Sequence, residues 1–192
     1  MPVIDNNTKM TVLGPLMALY TIAAGYYVGT AKGNWGWFSY HPAAMLLAFV
    51  GLAGNAIVMK KVGGLVKTRW HGYIMSAAAL VAAFGWYVIY SNKDMFGKPH
   101  ATTWHAWLGI FVMINYFIVA PFIYYTLSPD AGTMKGNKTL RWVHKWSSRA
   151  TTGLAWVVCV MGWRTMQGDN LFNQAVFGAP LLLLAPLVLL DL

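Results

Sequence analysis

The chain has 192 residues, of which 58% are hydrophobic and only 10% are charged. This composition is typical of a protein embedded in a lipid bilayer and excludes an ordinary soluble domain. The net charge of +9 comes from 14 Lys and Arg against five acidic residues. Because these charges lie between apolar segments and not on one basic face, they indicate a membrane and no nucleic-acid partner.

Six apolar segments follow one another along the chain, each of roughly 20 residues and so able to cross about 30 Å of hydrocarbon. They lie near residues 11–30, 41–60, 70–91, 104–127, 142–163 and 171–190. The connections are too short for a soluble domain, which predicts a single all-α membrane domain over residues 1–192. The start MPVIDNNTKM lacks the features of a cleavable signal, so the first segment is expected to remain.

Positive charge is unequal on the two sides of the predicted membrane. Side I denotes the side of both termini and of the loops after the second and fourth segments; side II is the opposite side. Side I carries ten basic residues (Lys9, Lys60, Lys61, Lys67, Arg69, Lys135, Lys138, Arg141, Lys145 and Arg149) and side II four (Lys32, Lys93, Lys98 and Arg164). The positive-inside rule therefore places side I in the cytoplasm or its equivalent. We expect an endomembrane or plasma membrane, with an organellar inner membrane as the alternative.

Aromatic residues gather near the segment ends, as in an interfacial belt; examples are Trp70, Trp104, Trp142 and Trp163. Small residues such as Gly54, Ala78 and Ala82 lie inside the segments. They allow close helix packing and equally leave room for a flat prosthetic group.

Four of the five histidines head consecutive segments, the second to the fifth: His41, His71, His105 and His144. Because neighbouring helices run in opposite directions, His41 and His105 enter from side II, whereas His71 and His144 enter from side I. Two pairs result, one in each leaflet.

Facing histidines in a four-helix bundle commonly bind a metal or a haem. Haem needs one ligand on each side of its plane, which two diagonal helices supply, and neutral imidazole is a good iron ligand. The pattern predicts two haems b stacked across the membrane. Zinc is a weaker alternative, since each pair offers two ligands and structural zinc takes four. Interfacial histidines that bond headgroups are another, although this does not explain one histidine per consecutive helix.

Basic residues near the side-I pair have two interpretations. Lys67, Arg69, Lys145 and Arg149 lie within about one to two helical turns of a side-I histidine. They are candidates to pair haem propionates, Arg69 and Arg149 foremost, or to attract an anionic reductant, Lys67 and Lys145 foremost. Ordinary positive-inside residues are the alternative. His100, in the loop KDMFGKPHATT, is either a surface histidine or a contact for substrate or protons on side II.

Four motifs resemble the cytochrome b561 family: HPAAM at His41, RWHGY at His71, WHAWLG at His105 and VHKWSSRATTGLAW at His144. Members are six-helix membrane proteins whose central four helices hold two haems b through four histidines. The resemblance covers about residues 41–163 and leaves the helices near 11–30 and 171–190 peripheral. It implies that His71 and His144 bind the inner haem and that His41 and His105 bind the outer one.

The resemblance also implies one-electron transfer across the membrane. In the family, the inner haem accepts an electron from cytoplasmic ascorbate, and the outer haem passes it to monodehydroascorbate or ferric iron. This chain departs from ascorbate-using members where IVMKKVGG replaces a basic, Tyr-containing stretch, where TTWHAW replaces a serine-bearing motif, and at Ser148, which stands where Gly is frequent. These departures leave haem binding intact and argue against ascorbate as the donor.

Two other functions fit parts of the pattern. One is a haem-bearing or structural subunit that anchors a larger respiratory or photosynthetic complex, and a homodimer is a further possibility. The other is a transporter, which the chain fits poorly: no Asp lies inside a central segment, and Pro121 is the only interior proline there.

Overall fold

The computed structural model describes residues 5–31, 33–167 and 170–190, and within these ranges the regular elements are all helical. They are α1 (Asn6–Thr30), α2 (Tyr40–Leu46), α3 (Ala53–Val62), α4 (Leu65–Met95), α5 (Trp104–Leu127), α6 (Lys138–Gln167) and α7 (Leu171–Leu189). The prediction of an all-α fold is therefore confirmed for the described part of the chain. Lys32, counted above on side II, lies outside it.

The second predicted segment is one continuous span from Trp37 to Val62 built from several turns. A short 3-10 turn (Trp37–Ser39) leads into α2, and a π-helical stretch (Leu47–Leu52) joins α2 to α3. Within that stretch the Phe49 carbonyl accepts the indole N–H of Trp156 on α6 at 2.8 Å. π-Helical turns are rare and occur frequently at functional sites. We call this composite element the α2–α3 span.

Among the described helices, five have the length and hydropathy to cross a membrane: α1, the α2–α3 span, α4, α5 and α7. This confirms an integral, multi-pass membrane protein. The predicted fifth segment, 142–163, lies in α6, which is 30 residues long but is not one of the five. Its first half reads KTLRWVHKWSSRATT, and this polar composition lowers its mean hydropathy.

Several helices are longer than the apolar segments that predicted them. The predicted segment 70–91 lies within α4, which has 31 residues. At 1.5 Å per residue α4 is about 46 Å long, which exceeds the thickness of about 30 Å of the hydrocarbon core of a bilayer. The helix is therefore longer than a bilayer requires, and its additional residues include the polar ones at its two ends. Between α3 and α4 the chain reverses at Gly63 and Gly64, both with a φ of 86°. This left-handed conformation favours glycine and ends α3 sharply.

The α2–α3 span, α4, α5 and α6 form a closed ring of neighbours, in which each helix packs on the next and α6 returns to the α2–α3 span. The α2–α3 span is thus diagonal to α5, and α4 is diagonal to α6. The outer helices flank this bundle, α1 against the α2–α3 span and α7 against α6. At one end, Asn6 donates to the Lys61 carbonyl and Lys61 donates to the Leu190 carbonyl. The segments assigned to side I therefore meet at one end of the bundle.

Packing explains one departure from the expected aromatic belt. Trp70, Trp104 and Trp142 are exposed at helix ends, but Trp163 is only 3% exposed. Its indole N–H donates to the Asn173 carbonyl at 3.0 Å, and its ring stacks on Phe177 of α7. α7 covers Trp163, which therefore belongs to the core and not to the interface.

Candidate cofactor sites

A cavity of about 390 Å³ opens toward side II and is lined by His41 of α2 and His105 of α5. The centroids of the two imidazole rings are 6.4 Å apart and the rings are nearly perpendicular, at 88°. The His41 Nδ1–H donates to the Gly85 carbonyl of α4 at 2.9 Å, and the His105 Nδ1–H donates to the Val158 carbonyl of α6 at 3.0 Å. Each histidine is thus oriented by a neighbouring helix.

These hydrogen bonds determine which ring nitrogen can bind a metal. A histidine that donates through Nδ1 to a carbonyl keeps its lone pair on Nε2, the usual arrangement behind a metal-bound imidazole. Backbone carbonyls of α4 and α6 supply this support, so it does not depend on any particular side chain. The sequence analysis did not identify Gly85 or Val158, because a main-chain acceptor leaves no signal in residue type.

Gly162, one helical turn after Val158, makes room for the His105 ring. A Cβ atom at residue 162 would lie 2.8 Å from the ring Cε1 and 3.3 Å from Nδ1. These separations are well inside normal contact distances of about 3.5–4.0 Å. The sequence analysis missed this residue, although the four-residue spacing between Val158 and Gly162 places both on one face of α6.

A larger cavity, of about 670 Å³, opens toward side I and is lined by His71 of α4 and His144 of α6. The His71 Nδ1–H donates to the Ala56 carbonyl of α3 at 3.0 Å. The His144 Nδ1 is buried and has no hydrogen-bond partner among the residues that the structure describes. The two pairs therefore differ: three of the four imidazoles donate to a main-chain carbonyl, whereas His144 has no such acceptor in the part of the chain that the structure describes.

The side-I cavity is strongly basic. Its lining includes six cationic residues, namely Lys60, Lys61, Arg69, Arg141, Lys145 and Arg149. Arg149 is 9% exposed, and its guanidinium lies over the Trp146 ring, 5.3 Å from the centroid. The Lys145 ammonium lies over the same ring at 5.6 Å. Lys67, predicted as a donor contact, is not among the lining residues.

Arg69 is paired with a carboxylate at the rim of this cavity. Its Nη2 lies 2.6 Å from Asp130 Oδ1, and its Nε lies 2.9 Å from Oδ2. The pairing lowers the pKa of the Asp130 carboxyl, chiefly through the hydrogen bonds from Arg69. Asp130 was not singled out from the sequence, because 61 residues separate it from Arg69.

His100 lines the mouth of the side-II cavity together with Lys93. Its Nε2–H donates to Asp94 Oδ1 at 2.8 Å, and its ring stacks on Tyr90 with the centroids 4.3 Å apart. The loop histidine is therefore held at the cavity by the last turns of α4. Asp94 and Tyr90 are site residues that the sequence analysis missed.

A packed aromatic layer separates the two cavities. Phe49 lines the side-II cavity and Tyr116 the side-I cavity, and their rings meet edge to face at 5.1 Å. The Tyr116 hydroxyl shares a hydrogen bond with Thr152 Oγ1 at 3.2 Å. Both Tyr116 and Thr152 are buried. The cavities therefore approach one another through a small number of side chains and stay distinct.

Within the described ranges, no group of three or more His, Cys, Asp or Glu side chains is placed to hold a metal ion. Each cavity offers two histidines on helices that are diagonal in the bundle. Such a pair leaves the remaining ligand positions of an iron to a planar macrocycle.

Comparison with known proteins gives a consistent result. A model of the family described as eukaryotic cytochrome b561 matches residues 40–167. The human transmembrane ascorbate-dependent reductase CYB561 is 26% identical over 113 residues, which cover 54% of this chain and 45% of that protein. The mouse transmembrane reductase CYB561D2 is 28% identical over 108 residues, covering 50% and 49%. The match thus spans about half the length of these curated relatives. On the family match, the chain belongs to the cytochrome b561 family of membrane proteins.

Proposed function

We propose that the chain transfers single electrons across a membrane through two haems b, from a reductant on side I to an acceptor on side II. The observation that carries this proposal is the presence of two cavities at opposite ends of one bundle, each lined by a pair of histidines from diagonal helices. A bound haem supplies an iron that takes up and releases one electron. The α6 helix serves as the sixth span.

The proposed ligands are His41 and His105 for the side-II haem, and His71 and His144 for the side-I haem. Three of the rings donate Nδ1–H to a main-chain carbonyl and so present Nε2 to the cavity. This donor set fits an iron that takes two imidazoles. The carbonyls hold the rings in place and raise their basicity.

Basic residues complete the side-I site in this proposal. Arg149, whose guanidinium lies over the Trp146 ring, and Arg69, at the rim, are proposed to pair with the haem propionates. Lys145 and Lys67 are proposed contacts of the electron donor. On side II, His100 is proposed to contact the acceptor, and its hydrogen bond to Asp94 suits it to exchange a proton there.

The relatives suggest the classes of donor and acceptor. Two of them are named as a transmembrane ascorbate-dependent reductase and a transmembrane reductase. We therefore propose an ascorbate-like small molecule as donor and monodehydroascorbate or ferric iron as acceptor, which makes the chain an oxidoreductase. Both termini lie on the cytoplasmic side, and the protein resides in an endomembrane or plasma membrane, with an organellar inner membrane as the alternative.

A transport assay tests the proposal. Purified haem-loaded protein is placed in liposomes that contain trapped ferricyanide, and a reductant is added outside. We expect reduction of the trapped ferricyanide only in vesicles that contain protein. We expect the His71→Ala and His105→Ala variants to lose this activity. Haem-loaded vesicles that reduce no trapped acceptor with any donor would contradict the proposal.

A second candidate is a haem-bearing or structural subunit of a larger respiratory or photosynthetic complex. It is favoured by the side-I lysines of IVMKKVGG, which make contacts within the chain: Lys60 donates to Thr68 Oγ1 at 2.6 Å, and Lys61 donates to the Leu190 carbonyl. Co-purification of the chain with a large complex, together with loss of that complex on gene deletion, would support this candidate. An active isolated chain would count against it.

A further inference from the structure

Asp130 holds a carboxylate at the opening of a cavity that is otherwise basic. The whole chain contains only five acidic residues. Among the described residues that line the side-I cavity, Asp130 is the only acidic one. It faces Arg69, which lies two residues before His71.

The Arg69–Asp130 contact has a defined geometry. Nε of Arg69 lies 3.1 Å from Oδ1 and 2.9 Å from Oδ2, while Nη2 lies 2.6 Å from Oδ1. A two-nitrogen contact of this kind occupies the edge of the guanidinium that would otherwise bind a carboxylate or another planar anion. Any anion at Arg69, whether a haem propionate or a donor from side I, must therefore compete with Asp130, and the carboxylate also repels an anionic donor at the rim.

The loop that carries Asp130 is ordered by its own hydrogen bonds. Ser128 Oγ accepts from the main-chain N–H groups of Asp130 and Ala131, both at 3.3 Å. The Gly132 N–H donates to the Ser128 carbonyl at 2.9 Å, and the Met134 N–H donates to the Thr126 carbonyl at 2.8 Å. These bonds order the backbone of the loop, and the contact with Arg69 holds the Asp130 carboxylate at the rim.

We propose that Asp130 is a specificity-determining residue that weakens the attraction of the basic side-I cavity for anionic electron donors and so reduces their advantage over uncharged donors. The proposal rests on the proposed function, in which side I receives the electron. It concerns the association of the donor and adds no chemical step. Ascorbate, an anion at neutral pH, represents the class whose association Asp130 weakens, and hydroquinones represent the uncharged class that it leaves unaffected.

The expected effect is modest, because both partners are partly exposed. The side chains of Arg69 and Asp130 are 43% and 48% exposed. Exposed pairs of this kind change an equilibrium by about 1.5- to 5-fold. Their effect also falls with ionic strength, since the Debye length shrinks from about 10 Å at 0.1 M to about 3 Å at 1 M salt.

Donor selectivity in the Asp130→Asn variant tests the proposal. The second-order rate constant for reduction of the haem-loaded protein is measured by stopped flow with ascorbate and with durohydroquinone, at low and at high salt. We expect the variant to react about 1.5- to 5-fold faster than wild type with ascorbate at low salt, and equally fast at high salt. With the uncharged donor, we expect no change.

Two further variants separate local charge from other effects. Asp5→Asn removes the same charge on side I but at the N-cap of α1, where Asn caps equally well, and Asp5 does not line the cavity. It should react like wild type with both donors, as should Asp130→Glu, which keeps the charge. If Asp130→Asn binds less haem, Asp130→Ser replaces it, with the same expected result.

Several outcomes would overturn the inference. One is an unchanged rate of reduction by ascorbate in Asp130→Asn. Another is a rate in Asp130→Asn that changes equally with ascorbate and with durohydroquinone. The third is an acceleration by Asp5→Asn as large as that by Asp130→Asn. Failure of the proposed function is distinct, because haem-loaded wild type would then be reduced by neither donor. Reduction that is insensitive to Asp130 removes this inference alone.

Discussion

The substitution Gly162→Ala places one methyl group against the His105 ring. The added Cβ would lie 2.8 Å from Cε1, 3.3 Å from Nδ1 and 3.5 Å from Nε2. Carbon atoms in contact lie about 3.5–4.0 Å apart, so the ring or α6 must move by about 0.7–1.2 Å. Because the carbonyl that holds the ring belongs to the same helix, this displacement strains the 3.0 Å bond to Val158 as well.

The displacement acts on the site and not on the fold. Alanine is favoured over glycine inside a helix by roughly 0.5–1 kcal/mol, so the substitution does not weaken α6 by propensity. Loss of the partner that orients a metal-bound histidine typically reduces metal affinity by about 10- to 100-fold. We therefore expect Gly162→Ala to lower the affinity of the side-II haem by that factor and to leave the side-I haem in place.

Haem titration of the apo-protein, followed by reduced-minus-oxidised spectra, measures both sites. Gly178→Ala is the matched control, because its Cβ would lie 3.7 Å from Val160 Cγ1, an ordinary contact, on a helix outside the bundle. The control should bind haem like wild type. A Gly162→Ala protein with two haems of unchanged affinity and spectrum would refute the steric reasoning.

Three further predictions concern the histidine pairs and the layer between them. His105→Ala and His71→Ala should each remove a different haem from the optical spectrum, whereas His100→Ala should keep both haems. Loss of the same spectral component in His105→Ala and His71→Ala would contradict the proposed ligand pairs. Because the His144 ring lacks a carbonyl partner among the described residues and lies in the more basic cavity, potentiometric titration should give the higher reduction potential for the haem that it binds; the reverse order would contradict this. Tyr116→Phe removes a buried hydrogen bond and should cost about 1 kcal/mol in denaturant unfolding with haem content unchanged, and a loss of haem would show that the layer supports a site directly.

The placement of the histidines follows from features that a sequence displays directly. Alternating helix direction is enough to put His41 near His105 and His71 near His144, and segment length is enough to outline the spans. The structure places each pair in one cavity. Their role as iron ligands stays a prediction.

Other features depend on tertiary packing and could not be predicted from the sequence. Main-chain acceptors such as the Gly85 and Val158 carbonyls exist at every residue, so only the packed bundle selects them. The contact of Arg69 with Asp130 joins positions far apart in the chain. Trp163 was assigned to the interface because it ends a segment, but α7 covers it.

The most direct test of the account is the haem stoichiometry of the purified chain, measured by the pyridine haemochrome assay together with a dithionite-minus-oxidised spectrum. The account predicts two haems b per chain. A folded chain without haem would contradict it and would leave the paired histidines a purely structural role.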